Sequence, residues 1–268
     1  MGAWCGVGMS NIQYKIWQWL GPTNEGSNEQ YNVAVCTKAK RSERNQYEIA
    51  NEMLCLRLAQ VLHLPVPAGG LLTKDGKQYF SSLEYALAPQ RLPPCTESDC
   101  IAIANQSWLA CGIIAFDAWT VNEERRDANI CFVRRTGETY LIDHGNSPFW
   151  DSPSINAVDY LKSVRNELVV DEFNHCIAKH VTNLDDFTDW NQRINDIPEY
   201  YIREAVEESG QLGLSREQVA FGIDFLLDRR ERLKVLFAEF YRTAFPKLDR
   251  QRSIFDPFDL SGDINYSI

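Results

Sequence analysis

The sequence predicts an α+β protein of two lobes, a small β-rich N-lobe with one helix and a larger, mostly helical C-lobe. The first 89 residues hold two segments that alternate apolar and polar residues, as hairpins do, with one helical segment between them. After the proline-rich stretch LAPQRLPP the pattern is mainly helical. The length of 268 residues fits one large domain or two lobes, and we place the lobes at 10–89 and 90–268, with the boundary near Pro89.

The N-lobe is predicted to begin with an antiparallel hairpin. The segments IQYKIWQWL and QYNVAVCTKAK both alternate apolar and polar residues, and the turn-rich GPTNEGSNE separates them. From Asn45 to Leu62 apolar residues recur at helical intervals, and HLPVPAGG ends this helix with two prolines and two glycines. The segment GLLTKDGKQYFSSLEYA then predicts a second hairpin that turns at KDGK.

The C-lobe is predicted to begin with one long buried helix through IAIANQSWLACGIIAFDAWTV, capped by Ser98 or Asp99. A short hairpin follows, with ICFV and TYLI as its arms and RRTGE as its turn. From about Ile155 to about Phe245 the pattern is helical, and REQVAFGIDFLLDRRERLKVLFAEFY is its clearest amphipathic segment.

Composition excludes several classes of function. The net charge is −10, the pI is about 5.0, and no basic run is longer than KAKR, so we expect no broad nucleic-acid or acidic-membrane surface. The eight cysteines form no C-x-x-C pair and are expected to be buried free thiols of a reducing compartment. No segment has the roughly 18 apolar residues of a membrane span, and the first ten residues lack a signal-peptide core. We therefore expect a cytoplasmic protein.

The short C-lobe hairpin carries a candidate metal site. Asn129 precedes its first arm and Asp143 follows its second, so the hairpin brings both side chains to one end. Phosphoryl transfer needs Mg²⁺ to neutralise phosphate charge, and Mg²⁺ prefers carboxylate and amide oxygens. The alternative is that Asn129 and Asp143 only cap turns, which both residue types often do.

Further residues match the spacing of a phosphotransferase. Glu124 lies five positions before Asn129, as the base does in H-R-D-x-x-x-x-N, and the segment 143–145 reads D-H-G where kinases have D-F-G. Lys38 ends an alternating strand and Glu52 lies in the following helix, where an ion pair would hold the lysine on the α/β-phosphates. Lys40 is a rival for that role, and Glu52 could instead be a surface residue.

Three blocks of the chain resemble the HipA-like kinases, which are related to the serine/threonine kinases of bacterial toxin–antitoxin systems. They are ANEMLCLRLAQVLHLPVP, FDAWTVNEERRDAN and YLIDHG, within a resemblance that runs from about Tyr14 to Leu236. The resemblance implies a two-lobed protein-kinase-like fold, ATP with Mg²⁺, phosphorylation of a protein or another hydroxyl acceptor, and an antitoxin-like regulatory partner. The residues it assigns to the nucleotide, besides the metal pair, are Gly26, Ser27, Asn28, Lys38, Glu52, Glu84, Tyr85 and Ala86.

One residue departs from the family pattern. The family has Asp where this chain has Glu124, which is longer by one methylene, and a misplacement of about 1 Å at a reacting centre can cost a hundredfold in rate. The chain could therefore be a slow kinase or a pseudokinase that only binds nucleotide, and a small-molecule kinase would share the same motifs. The tip EGSNE could likewise be only a polar loop.

Several polar residues near these motifs have structural interpretations. Asp117, five positions before Asn122, is expected to position the loop and not to act in catalysis. Arg125 and Arg126 are expected either to be solvated or to meet phosphate or an acidic acceptor. His175 and His180 do not have the helical spacing of metal ligands and are expected to be structural or solvated.

Overall fold

The computed structural model describes residues 46–73, 76–83, 94–150 and 155–248, and the backbone alone at 15–17, 22–23, 30–31, 35–39, 74 and 249–251. Several predictions fall outside the described residues. They are the lobe boundary near Pro89, the rival lysine Lys40, and six of the nucleotide-binding candidates, which are Gly26, Ser27, Asn28, Glu84, Tyr85 and Ala86.

The β-rich part contains the two predicted hairpins. Its strands, as far as the structure describes them, are β1 (Lys15–Trp17), β2 (Pro22–Thr23), β3 (Gln30–Tyr31), β4 (Val35–Ala39), β5 (Gly69–Lys74) and β6 (Lys77–Leu83). Antiparallel pairing gives a four-stranded sheet in the order β1-β4-β6-β5, and β2 pairs with β3 separately. The second hairpin turns where predicted, with Lys74 opposite Lys77.

Helix α1 (Glu48–Val61) is the predicted N-lobe helix, shorter at both ends than expected. Ile49 and Leu56 contact Phe80 of β6, whereas Leu54 and Leu58 belong to the main core of the protein. The helix is therefore buried on two sides, between the sheet and the helical part of the chain. Burial on two sides explains why the apolar residues of α1 are not confined to one face.

The predicted long helix after residue 98 is two helices, α2 (Glu97–Ala104) and α3 (Ser107–Thr120), so this prediction was wrong. They meet at an angle of 101°, because the polar Asn105-Gln106 step interrupts the apolar pattern and the bend lets both helices pack into the core. Thr96 is the N-cap, and Asp99 completes a capping box from inside the first turn. Among the described residues no single helix is long and apolar enough to cross a membrane; α2 and α3 reach that length only together, across their bend.

The remaining elements follow the predicted order with one interruption. They are a 3₁₀ turn (Asp127–Asn129), β7 (Ile130–Val133), β8 (Glu138–Leu141), α4 (Ala157–Val164), a second 3₁₀ turn (Ala178–His180), α5 (Phe187–Asn195), α6 (Glu199–Gly210), α7 (Arg216–Ala244) and α8 (Pro246–Gln251). The strands β7 and β8 form the predicted antiparallel hairpin. The chain between α4 and α5 contains no α-helix, which corrects the expectation of an unbroken helical pattern from residue 155.

The cysteine side chains in the described part of the chain are all free and buried, as expected: Cys55, Cys95, Cys100, Cys111, Cys131 and Cys176. Most of them lie in the main core, where they act as small apolar residues. Burial raises the pKa of the Cys95 and Cys111 thiols to about 12, so these two stay protonated near neutral pH.

A buried arginine joins α7 to the ends of α3 and α4. The guanidinium of Arg229 is fully buried and donates to the backbone carbonyls of Ala118, Val164, Arg165 and Glu167 at 2.8–3.2 Å. Burial lowers its pKa to about 10, so the group remains charged at neutral pH. It satisfies carbonyls at two helix ends that would otherwise be buried without partners.

We expect Arg229→Met to destabilise the protein by about 2–4 kcal/mol, because several buried carbonyls lose a charged donor. Urea unfolding at neutral pH measures the change. Arg203→Met is the matched control, because Arg203 forms an exposed ion pair with Glu199 within α6 and its loss should cost less than about 0.5 kcal/mol. Equal stability of the two variants would contradict the role given to Arg229.

Candidate active site

The candidate site begins where α3 ends. Val121 closes the helix in the left-handed conformation, with φ of 60°, which β-branched residues rarely adopt. The next amide, that of Asn122, donates to the carbonyl of Asp117 at 2.8 Å. This turn leads the chain out of the apolar helix and into the loop that carries Glu124.

A buried ion pair lies beneath this loop. Arg125 donates from Nε and Nη2 to the two carboxylate oxygens of Asp117, at 2.8 Å each, and both side chains are fully buried. Asn122 donates to the same carboxylate at 2.9 Å, and Nε2 of His175 also donates to it, at 3.1 Å. Burial alone would raise the pKa of Asp117, but Arg125 outweighs that effect and holds this pKa below its usual range. Asp117 therefore positions the loop, as expected from the sequence.

The same arginine also holds the hairpin. Its Nη1 donates to the carbonyls of Asn129, at 2.8 Å, and Ile142, at 3.0 Å. Its Nη2 lies 2.8 Å from Nε2 of His144, which accepts the bond because a guanidinium can only donate. Arg125 thus contacts the backbone at or beside both predicted metal ligands.

The structure brings the two predicted metal ligands to one end of the hairpin. Ile130 pairs with Leu141 there, and the amide of Ile142 donates to the carbonyl of Asn129 at 3.2 Å. Asp143 follows with φ of 62°, in the left-handed region, which is uncommon enough to draw attention to a functional role. The positions agree with the prediction, and the role as ligands stays a prediction.

The donor atoms of this pair fit Mg²⁺. The amide nitrogen of Asn129 donates to the carbonyl of Glu124 at 2.7 Å, so the amide oxygen is the atom suited to a metal. One carboxylate and one amide oxygen match the sparse protein ligation of Mg²⁺, which keeps waters and takes phosphate oxygens. The described residues contain no group of three or more His, Cys, Asp or Glu that could hold a metal by itself.

Glu124 reaches from the loop to the segment after Asp143. Its Oε2 accepts from Nδ2 of Asn146 at 3.1 Å, and its Oε1 accepts from Nη2 of Arg126 at 2.7 Å. Its backbone amide donates to Oδ1 of Asn122 at 3.3 Å. The carboxylate is held on both oxygens, yet its side chain is 43% exposed and open to an incoming molecule.

Helix α1 contacts the D-H-G segment directly. Asn51 donates to the carbonyls of Gly145, at 2.7 Å, and Phe149, at 2.8 Å, and accepts from the amide of Phe149 at 3.1 Å. A Cβ at Gly145 would lie 2.7 Å from Cγ of Glu48, so a larger residue there would require the Glu48 side chain to shift. Sequence reasoning missed Asn51, although an amide between apolar helix positions was a visible signal.

The predicted ion pair between Lys38 and Glu52 lies only partly within the described residues. Glu52 is buried in α1, so the alternative of a surface residue was wrong. Lys38 lies in β4, and its Cα is opposite that of Phe80 in β6. Phe80 packs against α1, the helix that carries Glu52. The strand that holds Lys38 therefore adjoins the strand that contacts this helix.

Arg125 is the residue that sequence reasoning placed wrongly. Both alternatives, solvation and contact with phosphate, required exposure, but the side chain is fully buried. The available signal was Asp117, since a carboxylate inside an apolar helix needs a buried cationic partner. His175 is structural, as expected, because its Nδ1 accepts from the amides of Ile177 and Ala178.

No protein-family model matches the chain, and no curated protein sequence does. Among solved structures, the Helicobacter pylori proinflammatory kinase CtkA is similar with a TM-score of 0.54 and 14% identity, over 93% of this chain and 95% of that one. HipA of Shewanella oneidensis, solved with HipB and operator DNA of a toxin–antitoxin system, has a TM-score of 0.44 and 11% identity, over 94% of this chain and 69% of that one. The likeness to CtkA confirms the two-lobed kinase-like fold, in agreement with the HipA-like resemblance read from the sequence.

We expect Asp117→Asn to destabilise the protein by about 3–5 kcal/mol, because it leaves the Arg125 cation buried without its anion. Urea unfolding at neutral pH measures the change. Asp159→Asn is the control, since Asp159 pairs with Lys162 on the exposed face of α4 and its loss should cost under about 1 kcal/mol. A parent-like unfolding midpoint for Asp117→Asn would show that the pair does not support the loop.

Proposed function

We propose that the protein is an ATP- and Mg²⁺-dependent kinase that transfers the γ-phosphoryl group to a Ser or Thr hydroxyl of a protein. The observation that carries this proposal is the shared attachment of Asn129 and the D-H-G segment to Arg125, with Glu124 bonded to Asn146, the residue directly after that segment. The kinase-like fold supports it.

In the proposed reaction, Asn129 and Asp143 hold the metal, which supplies positive charge to the β- and γ-phosphates when it is bound. Asp143 contributes the only anionic ligand of the pair. Arg125 keeps both residues in place through the carbonyls of Asn129 and Ile142. Since little covalent chemistry is required of the protein in phosphoryl transfer, fixing these two positions is a main part of its work.

Glu124 is proposed as the base that takes the proton of the acceptor hydroxyl. Its carboxylate lies beside the D-H-G segment and is partly exposed, so an acceptor can reach it. The contact of Oε1 with Arg126 favours the competing proposal of a pseudokinase, because it occupies a carboxylate oxygen that an acceptor hydroxyl would need. This ion pair is exposed and contributes at most about 1 kcal/mol, so an acceptor can displace it.

The remaining parts of the proposal concern the nucleotide and the setting. Lys38 would contact the α/β-phosphates with Glu52 as its partner, which the pairing of β4 with β6 and the burial of Glu52 support. Further contacts to the nucleotide are assigned to Gly26, Ser27, Asn28, Glu84, Tyr85 and Ala86. A cytoplasmic location and an antitoxin-like partner complete the proposal.

Incubation with γ-labelled ATP and Mg²⁺, with and without a cell lysate, tests the function. We expect label on a lysate protein or on the protein itself, and none with Asp143→Ala, which removes the acidic residue proposed as a metal ligand. Thermal stabilisation by Mg-ATP should also be lost in Asp143→Ala. Asp171→Ala serves as the control, because Asp171 only caps a turn at residues 173–174.

Three results would contradict this proposal in different ways. Binding of Mg-ATP without any transfer of label would identify a pseudokinase. Label on a small molecule and on no protein would place the acceptor in the other kinase class of this fold. Unchanged stabilisation of Asp143→Ala by Mg-ATP would show that the metal site is wrong.

A double-variant cycle tests the N-lobe pair. Lys38→Ala and Glu52→Ala should each weaken nucleotide binding about tenfold or more, and the double variant should lose less than the sum, because Glu52 acts through the lysine. Calorimetric titration with Mg-ATP gives the affinities. Lys40→Ala is the matched control. If Lys40→Ala weakens Mg-ATP binding and Lys38→Ala does not, the lysine that contacts the phosphates is Lys40 and not Lys38.

A further inference from the structure

Asn146 is a side chain that the proposed reaction has not used, and it lies in a firmly anchored segment. On one side, the carbonyl of Gly145 accepts from Asn51 of α1 at 2.7 Å. On the other side, the hydroxyl of Ser147 donates to the carbonyl of Thr120 at the end of α3, at 2.6 Å. Because both neighbours are buried and bonded to different helices, Asn146 has a fixed backbone.

The two side chains that contact the Glu124 carboxylate differ in how well they are held. Arg126 is 66% exposed, so its ion pair is weak and easily exchanged for water. Asn146 has a short side chain on the anchored segment, and its Nδ2 donates to Oε2 of Glu124 at 3.1 Å. Asn146 is therefore the contact that can give this carboxylate a defined position.

We propose that Asn146 is a positioning residue that sets the reach of Glu124 toward the acceptor hydroxyl; this inference rests on the proposed function. A glutamate has one more rotatable bond than the aspartate of the resembling family, and the bond to Asn146 restricts the freedom that this adds. A carboxylate has about four lone-pair sites, so the bond leaves capacity to accept the hydroxyl proton.

The loop backbone supports this arrangement. Glu124 is held at its amide by Asn122 and at its carbonyl by Asn129, so its main chain is fixed on both sides of Cα. With its main chain fixed, the position of the Glu124 carboxylate depends on the side-chain torsions of this residue. A displacement of about 1 Å at the reacting atom costs up to about a hundredfold in rate, which is the scale expected when Asn146 is removed.

Steady-state phosphorylation by Asn146 variants tests the proposal. Asn146→Ala should lower kcat about 10- to 100-fold with KM for Mg-ATP within about twofold, because Glu124 touches the acceptor and not the nucleotide. Asn146→Asp has nearly the same volume but cannot donate, so it should lose at least as much. A purely packing role would leave Asn146→Asp active and would overturn the proposal. Asn195→Ala, which removes an amide at the far end of α5, is the matched control.

The length of Glu124 provides a second test. Glu124→Asp shortens the side chain, so its carboxylate should no longer meet Asn146, and adding Asn146→Ala to that variant should change kcat by less than about twofold. The same loss in both backgrounds would show that Asn146 acts on something other than Glu124, and would overturn the inference.

Nuclear magnetic resonance separates this inference from the proposed function. The side-chain amide signal of Asn146, assigned by its loss in Asn146→Ala, should shift in Glu124→Ala and stay in place in Glu138→Ala, a change at the exposed start of β8. A signal that ignores Glu124→Ala overturns the contact, whether or not the protein is active. A shifted signal in a protein that transfers no phosphoryl group overturns the proposed function and, with it, the positioning role.

Discussion

The ion pair between Asp117 and Arg125 is fully buried and joins three parts of the chain. Removing two charges from water is costly, and the cost is offset only when the charges meet well and the remaining donors find acceptors. Here the carboxylate also accepts from Asn122 and His175, and the guanidinium also donates to the hairpin backbone and His144. The end of α3, the loop with Glu124 and the hairpin β7–β8 are therefore fixed together by one interaction.

Helix α1 extends this arrangement to the small lobe. It packs on the sheet through Ile49 and Leu56, contacts α6, and holds the D-H-G segment through Asn51. Tyr201 of α6 donates to the carbonyl of Arg57 at 3.1 Å, which ties the outer side of α1 to the helical part. By its contacts, α1 belongs to both lobes, although chain order assigns it to the first. Glu52 is thus carried on an element that the larger lobe already holds in place.

The sequence predicted most of the architecture because periodicity and turn residues are local signals. Both N-lobe hairpins, α1, the hairpin β7–β8 and α7 could be predicted in this way, and so could the placement of Asn129 and Asp143. The bend between α2 and α3 could not, since it depends on which core each helix face meets. The burial of Arg125 and the contact between Glu124 and Asn146 could not be predicted either, because both depend on tertiary contacts that residue spacing does not reveal.

The buried cluster of Asp117, Arg125 and His175 also responds to pH differently from exposed groups. Arg125 holds the pKa of Asp117 below its usual range, so this carboxylate stays ionised near neutrality. Burial lowers the pKa of His175, whose Nδ1 already accepts two backbone amides and cannot take a proton without losing them. Asp117 and His175 therefore each keep one protonation state near neutral pH, where exposed groups titrate. A phosphorylation rate that changes with pH near neutrality would then report titration of the reacting groups or the substrate. It would not report a structural change in the loop and hairpin that carry these groups.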